Sequence, residues 1–151
     1  MPELVIADTS CLIVLSKIGR LHLLKDIFSK ISITEEVHQE FGDALPEWIQ
    51  VEETKDSERK RILELDLDKG EASSIVLGLE NKEALLLIDE KKGRRVAKDL
   101  GLKVTGTLGV LIRAKVNGQV SSLKDEIDKL KKVEFRMSEV LVQQILETYE
   151  N

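Results

Sequence analysis

Two short, uninterrupted apolar runs, Leu4-Val5-Ile6-Ala7 and Ala84-Leu85-Leu86-Leu87-Ile88, constrain this chain more than any other feature. A strand with one face in water alternates apolar and polar residues, whereas a run without alternation belongs to a strand covered on both faces, as in a parallel sheet. Ile31-Ser32-Ile33 and Lys103-Val104-Thr105 are weaker strand candidates, and a fifth spans Ile49 to Glu53. Helical patterns lie between them. Ala72, Ile75, Val76 and Leu79 place one apolar stripe on a helix starting near Glu71, and Val96, Ala97 and Leu100 mark a shorter helix after Ile88. Strands alternating with helices predict a three-layer α/β/α fold with a central parallel sheet of about five strands, whose ligands gather at the carboxyl ends of the strands.

After about residue 118 the pattern is purely helical. Leu123, Ile127 and Leu130 form one stripe, and Val142, Ile145, Leu146 and Tyr149 another, following a turn at Asn117-Gly118. The expectation is one domain over 1–151, with a core of about 1–118 and a helical C-terminal extension of about 119–151 packed on the sheet or on a partner chain.

Composition excludes several functions. No apolar stretch is long enough to span a membrane, and Met1-Pro2-Glu3 leads into no secretory signal, so a cytoplasmic protein is expected. The only cysteine, Cys11, excludes an internal disulfide and a thiolate-rich zinc site; beside Leu12, Ile13, Val14 and Leu15 it reads as a small buried side chain. His22 and His38 cannot assemble a typical zinc site with it. Gly101 to Thr107, GLKVTGT, has the glycine spacing of a phosphate loop but lacks the lysine that should follow the second glycine. An aspartyl phosphatase needs a second Asp two residues after Asp8, where this chain has Ser10. With 28 acids against 23 bases, the net charge of −5 argues against binding nucleic acid through a broad basic surface.

Four acids stand where an α/β sheet would bring side chains together. Asp8 follows the first strand, Glu40 lies in the helix after the second, Glu71 starts the helix after a charged segment, and Asp89 follows the strong strand. Each has a plainer reading. Asp8 and Asp89 could cap the helices that follow them, Asp68 and Glu71 have capping-box spacing, and Glu40 could be a solvated helix charge one turn after Glu36.

VIADTSCLIVLSKIG, ITEEVHQEF, LDKGEASSIVLGLE and LLLIDEKKGRRVAKDLG resemble, in order, the successive blocks of a PIN domain, the metal-dependent ribonuclease fold of many prokaryotic VapC-type toxins. The resemblance is greatest to the compact branch with Gly-Glu in the third block, and covers roughly residues 3 to 115; Phe135-Arg136-Met137-Ser138 in the tail also looks like that branch. It implies that Asp8, Glu40, Glu71 and Asp89 are the catalytic and metal-binding acids, with Glu36 and Glu90 as the nearby replacements for Glu40 and Asp89. Ser10 falls where a small polar side chain supports the first acid. Clustered carboxylates repel one another unless protons or cations intervene, and hard oxygen ligands select Mg²⁺ or Mn²⁺. Such an ion activates water and offsets phosphodiester charge; Asp8 and Asp89 are the expected direct ligands.

The implied substrate is RNA and the implied partners are a small antitoxin and a second copy of the chain, with no membrane involved. The alternative is a non-catalytic PIN-like module that binds RNA or protein; a small-molecule phosphoesterase is a third reading. Positive charge for the substrate is concentrated in Lys91, Lys92, Arg94, Arg95 and Lys98, which are five of the 23 bases, so the remaining 18 face 28 acids elsewhere. Arg94 or Lys98 is expected to contact RNA phosphate, against the plainer reading of a solvated helix face.

Overall fold

A computed structural model describes residues 3–150. In chain order the elements are β1 (Leu4–Ala7), α1 (Thr9–Lys17), α2 (Leu23–Ile27), β2 (Lys30–Thr34), α3 (Glu35–Phe41), β3 (Ile49–Glu52), α4 (Ser57–Glu64), α5 (Lys69–Glu80), β4 (Leu85–Leu87), α6 (Lys91–Asp99), β5 (Lys103–Thr105), α7 (Thr107–Val116), α8 (Leu123–Lys132) and α9 (Glu139–Tyr149). All five expected strands form. They make one parallel sheet in the order β3-β2-β1-β4-β5.

The unbroken apolar runs follow from this order. β1 and β4 are inner strands, and their successive side chains serve opposite faces. Val5, Ala7, Leu85 and Leu87 enter the core formed with α1, α2, α3 and α7, while Ile6, Leu86 and Ile88 enter the one formed with α5 and α6. Helices therefore cover both faces, giving three layers. Residues 70–78 of α5 are all buried. That helix begins at Lys69, two residues before Glu71, because the Asp68 side chain caps it by accepting the Glu71 N–H at 2.8 Å.

The tail packs on the rest of the chain. Leu123, Ile127 and Leu130 of α8 and Val142 and Ile145 of α9 belong to the same apolar cluster as Val5 and Ala7, whereas Tyr149 remains exposed. The turn before α8 contains Gly118 at φ 78°, as the Asn-Gly pair predicts. Past α8, Glu134 takes the left-handed conformation at φ 61°, while its own N–H and that of Phe135 return to the carbonyls of Lys131 and Leu130. This is a Schellman-type stop with a glutamate where glycine is favoured.

The chain runs from β1 to β2 and β3 on one side, then returns to place β4 on the other. The order therefore reverses between β1 and β4, opening a crevice at their carboxyl ends. Asp8 and Asp89 lie at this point.

Candidate active site

β1 and β4 pair in the register Ala7 with Leu87, and the Asp8 N–H continues the ladder by donating to the Leu87 carbonyl at 2.9 Å. The two aspartates thus leave adjacent strands. Asp8 occupies the N-cap position of α1 but makes no side-chain cap bond, so capping does not account for it. Its Oδ1 is buried with no hydrogen-bond partner among the described residues, and so is the neighbouring Thr9 Oγ1. Leaving a buried polar atom unpartnered costs about 1–3 kcal/mol, more for a charged group.

These orphaned oxygens face the first turn of α5. A Cβ placed on Gly70 would stand 2.9 Å from Glu40 Oε1, 3.0 Å from Asp8 Oδ1 and 3.1 Å from Thr9 Oγ1. Three oxygens from three residues ring one point that only a missing side chain leaves open. The Gly70 backbone is itself fixed from behind, since the hydroxyls of Ser73 and Ser74 both donate to its carbonyl and Ser73 shares a bond with Thr34. Glu40 reaches the cluster, while Glu36 is engaged with Lys60 at 2.6 Å.

Glu71 is buried on the adjoining side, where its Oε2 lies 2.9 Å from a Cβ built on Gly93 in α6. Asp89 is held differently. The Thr107 N–H donates to its Oδ1 at 2.7 Å and the Thr107 hydroxyl to its Oδ2 at 2.6 Å. Asp89 therefore holds the N-terminus of α7, not that of α6, whose N-cap position belongs to exposed Glu90. Gly106 makes room for it, as a Cβ there would stand 2.6 Å from Asp89 Oδ1. Each of the four acids thus abuts a glycine at the start of α5, α6 or α7.

The electrostatics follow from burial and crowding. Burial pushes Asp8 up from 3.8 to about 7; the charges of Asp68, Glu71 and Glu40 add to this, against the lowering influence of the Thr9 N–H. Glu71 also rises to about 7, through burial and then the charge of Asp68. Beneath them the buried Cys11 thiol, 3.4 Å from the Thr107 hydroxyl oxygen, is pushed well above its ordinary range by burial and by Asp89 and Asp8, which keeps it in the thiol form.

The hard-oxygen donor set, the orphaned Asp8 oxygen and the cradle at Gly70 fit a divalent cation. Among the described residues, no group of three or more His, Cys, Asp or Glu side chains already forms a metal-holding cluster. The geometry divides the four acids: Asp8 and Glu40 meet at Gly70, Glu71 leans on Gly93, and Asp89 is tied to Thr107.

A PIN-domain family model matches residues 4–151. The chain belongs to the PIN-domain family. Its five-stranded parallel sheet between helical layers is the PIN architecture, a nuclease-type fold whose members generally hydrolyse nucleic acid and use divalent metal ions. Neither a curated protein nor a solved structure matches the chain.

Beside the acids of this PIN domain, Ser10 is exposed on the first turn of α1 and lines a groove with Asp89 and Arg94. Among the described residues it makes no hydrogen bond to Asp8, and the hydroxyl next to that carboxylate belongs to Thr9. Arg94 donates to the Asp89 carbonyl at 3.0 Å, and Lys98 lines the adjoining hollow. Lys92 is turned away to Asp66 at 2.7 Å, so the cations of α6 divide as helical spacing requires. Thr107 and Arg136 were not singled out from the sequence as site residues. Thr107 sits inside the failed phosphate-loop pattern, and its one signal is a Gly-Thr step at a helix start. No helix among the described residues is long and apolar enough to cross a membrane.

Proposed function

We propose that this PIN domain is a Mg²⁺- or Mn²⁺-dependent endoribonuclease that hydrolyses single-stranded or looped RNA. The observation that carries the reading is the buried, unpartnered Asp8 oxygen meeting Glu40 and Thr9 oxygens at Gly70, at the point where the sheet order reverses. An apolar or capping role explains neither the orphaned atom nor the crowding of like charges. Asp8 and Glu40 would hold the cation, with Glu71 adjoining. When bound, the cation supplies Lewis-acid chemistry toward the phosphodiester and lowers the pKa of an attacking water.

The chain's own residues set the rest. Burial and crowding raise the proton affinity of Asp8 and Glu71 toward neutrality in the metal-free site, so a cation bound there would displace protons and relieve the repulsion among the carboxylates. Thr107 fixes the plane of the Asp89 carboxylate, so that group meets substrate or cation without first being ordered. Arg94, anchored on the Asp89 carbonyl, and Lys98 supply positive charge for RNA phosphate. Ser10 contributes a hydroxyl to the groove wall.

The setting we propose is the toxin of a toxin–antitoxin pair in the cytoplasm, as the four sequence blocks resemble VapC-type proteins. A small antitoxin would cover the crevice. Exposed Val140, Leu141 and Tyr149 on α9 offer apolar surface for a homodimer. We take residues 1–151 as one working domain, with α8 and α9 part of its core.

One observation favours the second reading, a non-catalytic RNA- or protein-binding module: Asp89 has both oxygens committed to Thr107. Cleavage of end-labelled RNA decides between them. Mn²⁺-dependent cutting that disappears in Asp8→Asn is expected; cation binding with no cutting across varied RNAs would establish the binding module.

A further inference from the structure

Beyond Asp89 lies a groove of about 630 Å³ that the four acids do not account for. Arg94 and Asp89 line it from the β4–α6 side, and Phe135, Arg136 and Leu141 line it from the tail. An adjoining hollow of about 420 Å³ shares these five residues and continues along α7. The tail thus does more than extend the core: its α8–α9 connection forms a wall beside the site.

Two features define what the groove can hold. Phe135 is half-buried, packing against the main apolar cluster while lining both hollows, and Leu141 beside it is 43% exposed. The groove therefore offers an aromatic ring with an apolar neighbour. Its arginines also keep their charge available, Arg94 donating to the neutral Asp89 carbonyl. Arg94 and Arg136 have no carboxylate partner among the described residues, although the chain carries 28 acids and Lys92 on the same helix as Arg94 has found one. Guanidinium groups left unpaired around a hollow in an acidic protein favour an anion there.

We propose that this groove holds one nucleotide of a single strand next to the bond to be cleaved, its base stacked on Phe135 and its phosphate between Arg94 and Arg136. This rests on the nuclease reading above and adds to it a nucleotide subsite built from named residues of the tail. A base reaches an aromatic side chain only when it is unstacked from its neighbours, which a duplex does not allow. The volume suits one nucleotide-sized ligand, and Asp89, common to both hollows, places it beside the acids.

The test is binding of a short single-stranded RNA carrying 2-aminopurine, in Ca²⁺, read by anisotropy and by 2-aminopurine fluorescence. Arg136→Ala should lower affinity about tenfold at low salt and flatten the salt dependence by roughly 0.7 in log–log slope, as expected for one lost phosphate contact. Phe135→Leu should lower affinity on the order of tenfold and relieve fluorescence quenching with the salt slope unchanged. Phe135→Trp should retain both affinity and quenching. A duplex of the same sequence should bind weakly and respond to none of these changes.

Unchanged affinity and quenching in Phe135→Leu of normal thermal stability would overturn the proposal. If that variant does not fold, quenching lost in Phe135→Trp overturns it equally. Poly-glutamate binding that Arg136→Ala weakens, with no RNA binding, would assign the groove to a protein partner instead. Cleavage in Mn²⁺ by the wild type and Asp8→Asn, run in parallel, separates the two failures. Cleavage that depends on Asp8 while the groove variants bind normally removes this inference alone, and absent cleavage removes the nuclease reading.

Discussion

In metal-free buffer, replacing Asp8 by Asn should make the protein more stable at neutral pH, although it removes a residue assigned to the site. The folded state holds the Asp8 proton more tightly than the unfolded chain, because burial and neighbouring carboxylates raise its pKa from 3.8 to about 7. The associated stability is fully present below the unfolded value and is lost as pH rises toward the folded one. At about 1.4 kcal/mol per tenfold change in proton affinity, ionising Asp8 costs about 4 kcal/mol by neutral pH. That is a large part of the 5–15 kcal/mol typical of a domain. Asp8 is 3% exposed, so solvent screening relieves little of it. Asn keeps the shape without the charge. Urea denaturation in EDTA from pH 4 to pH 8, followed through half-buried Trp48, should show the two proteins equal at the acid end and diverging as pH rises. Mn²⁺ should then stabilise the wild type at pH 8 and leave Asp8→Asn nearly unchanged. Parallel profiles, or an Asn variant that is less stable at pH 8 without metal, would refute the reasoning.

Thr107→Val removes the hydroxyl from Asp89 Oδ2 and should cost about 1.5–3 kcal/mol. It should also lower the cleavage rate, while Thr107→Ser keeps most of both; equal rates for Val and Ser would show that Asp89 needs no such hold. Gly106 has an extended backbone that any residue adopts, so Gly106→Ala tests contact alone. Its Cβ would displace an Asp89 oxygen fixed by the Thr107 N–H, and thermal denaturation should show a loss of about 1–3 kcal/mol. Glu134→Gly relieves the left-handed conformation at the end of α8 and should stabilise the chain by about 1 kcal/mol; an unchanged or lower melting temperature would contradict that assignment.

Much of the fold was legible because its signals are local. Unbroken runs such as Leu4 to Ala7 suit a strand covered on two sides, and the stripe from Ala72 to Leu79 fits a helix, although residues 70–78 of α5 are buried all round because α3, α4 and α6 also pack on it. Parts of the site were legible for a related reason: Asp8 and Asp89 directly follow the strongest strands, and chain position alone puts them at strand ends. Their roles were not legible. Both read equally well as caps of the next helix, and only the pairing of β1 with β4 and of Asp89 with Thr107 separates these readings, through contacts between residues far apart in the chain. Ser10 and Thr9 are adjacent in sequence, yet the helix that begins there turns the Thr9 hydroxyl toward Gly70 and leaves Ser10 exposed.

By itself, then, the sequence determined the alternation of strands and helices, the buried character of β1 and β4, and the strand-end positions of Asp8 and Asp89, since each depends on residues a few places apart. The tertiary structure alone decided that Glu40 reaches Asp8 across Gly70, that Asp89 is ordered by the start of α7, and that Phe135 and Arg136 return from the tail to stand beside Asp89. These depend on how closely one backbone can approach another. That distance is set by glycines whose significance lies in what fills the space their side chains leave, and no spacing along the chain encodes it.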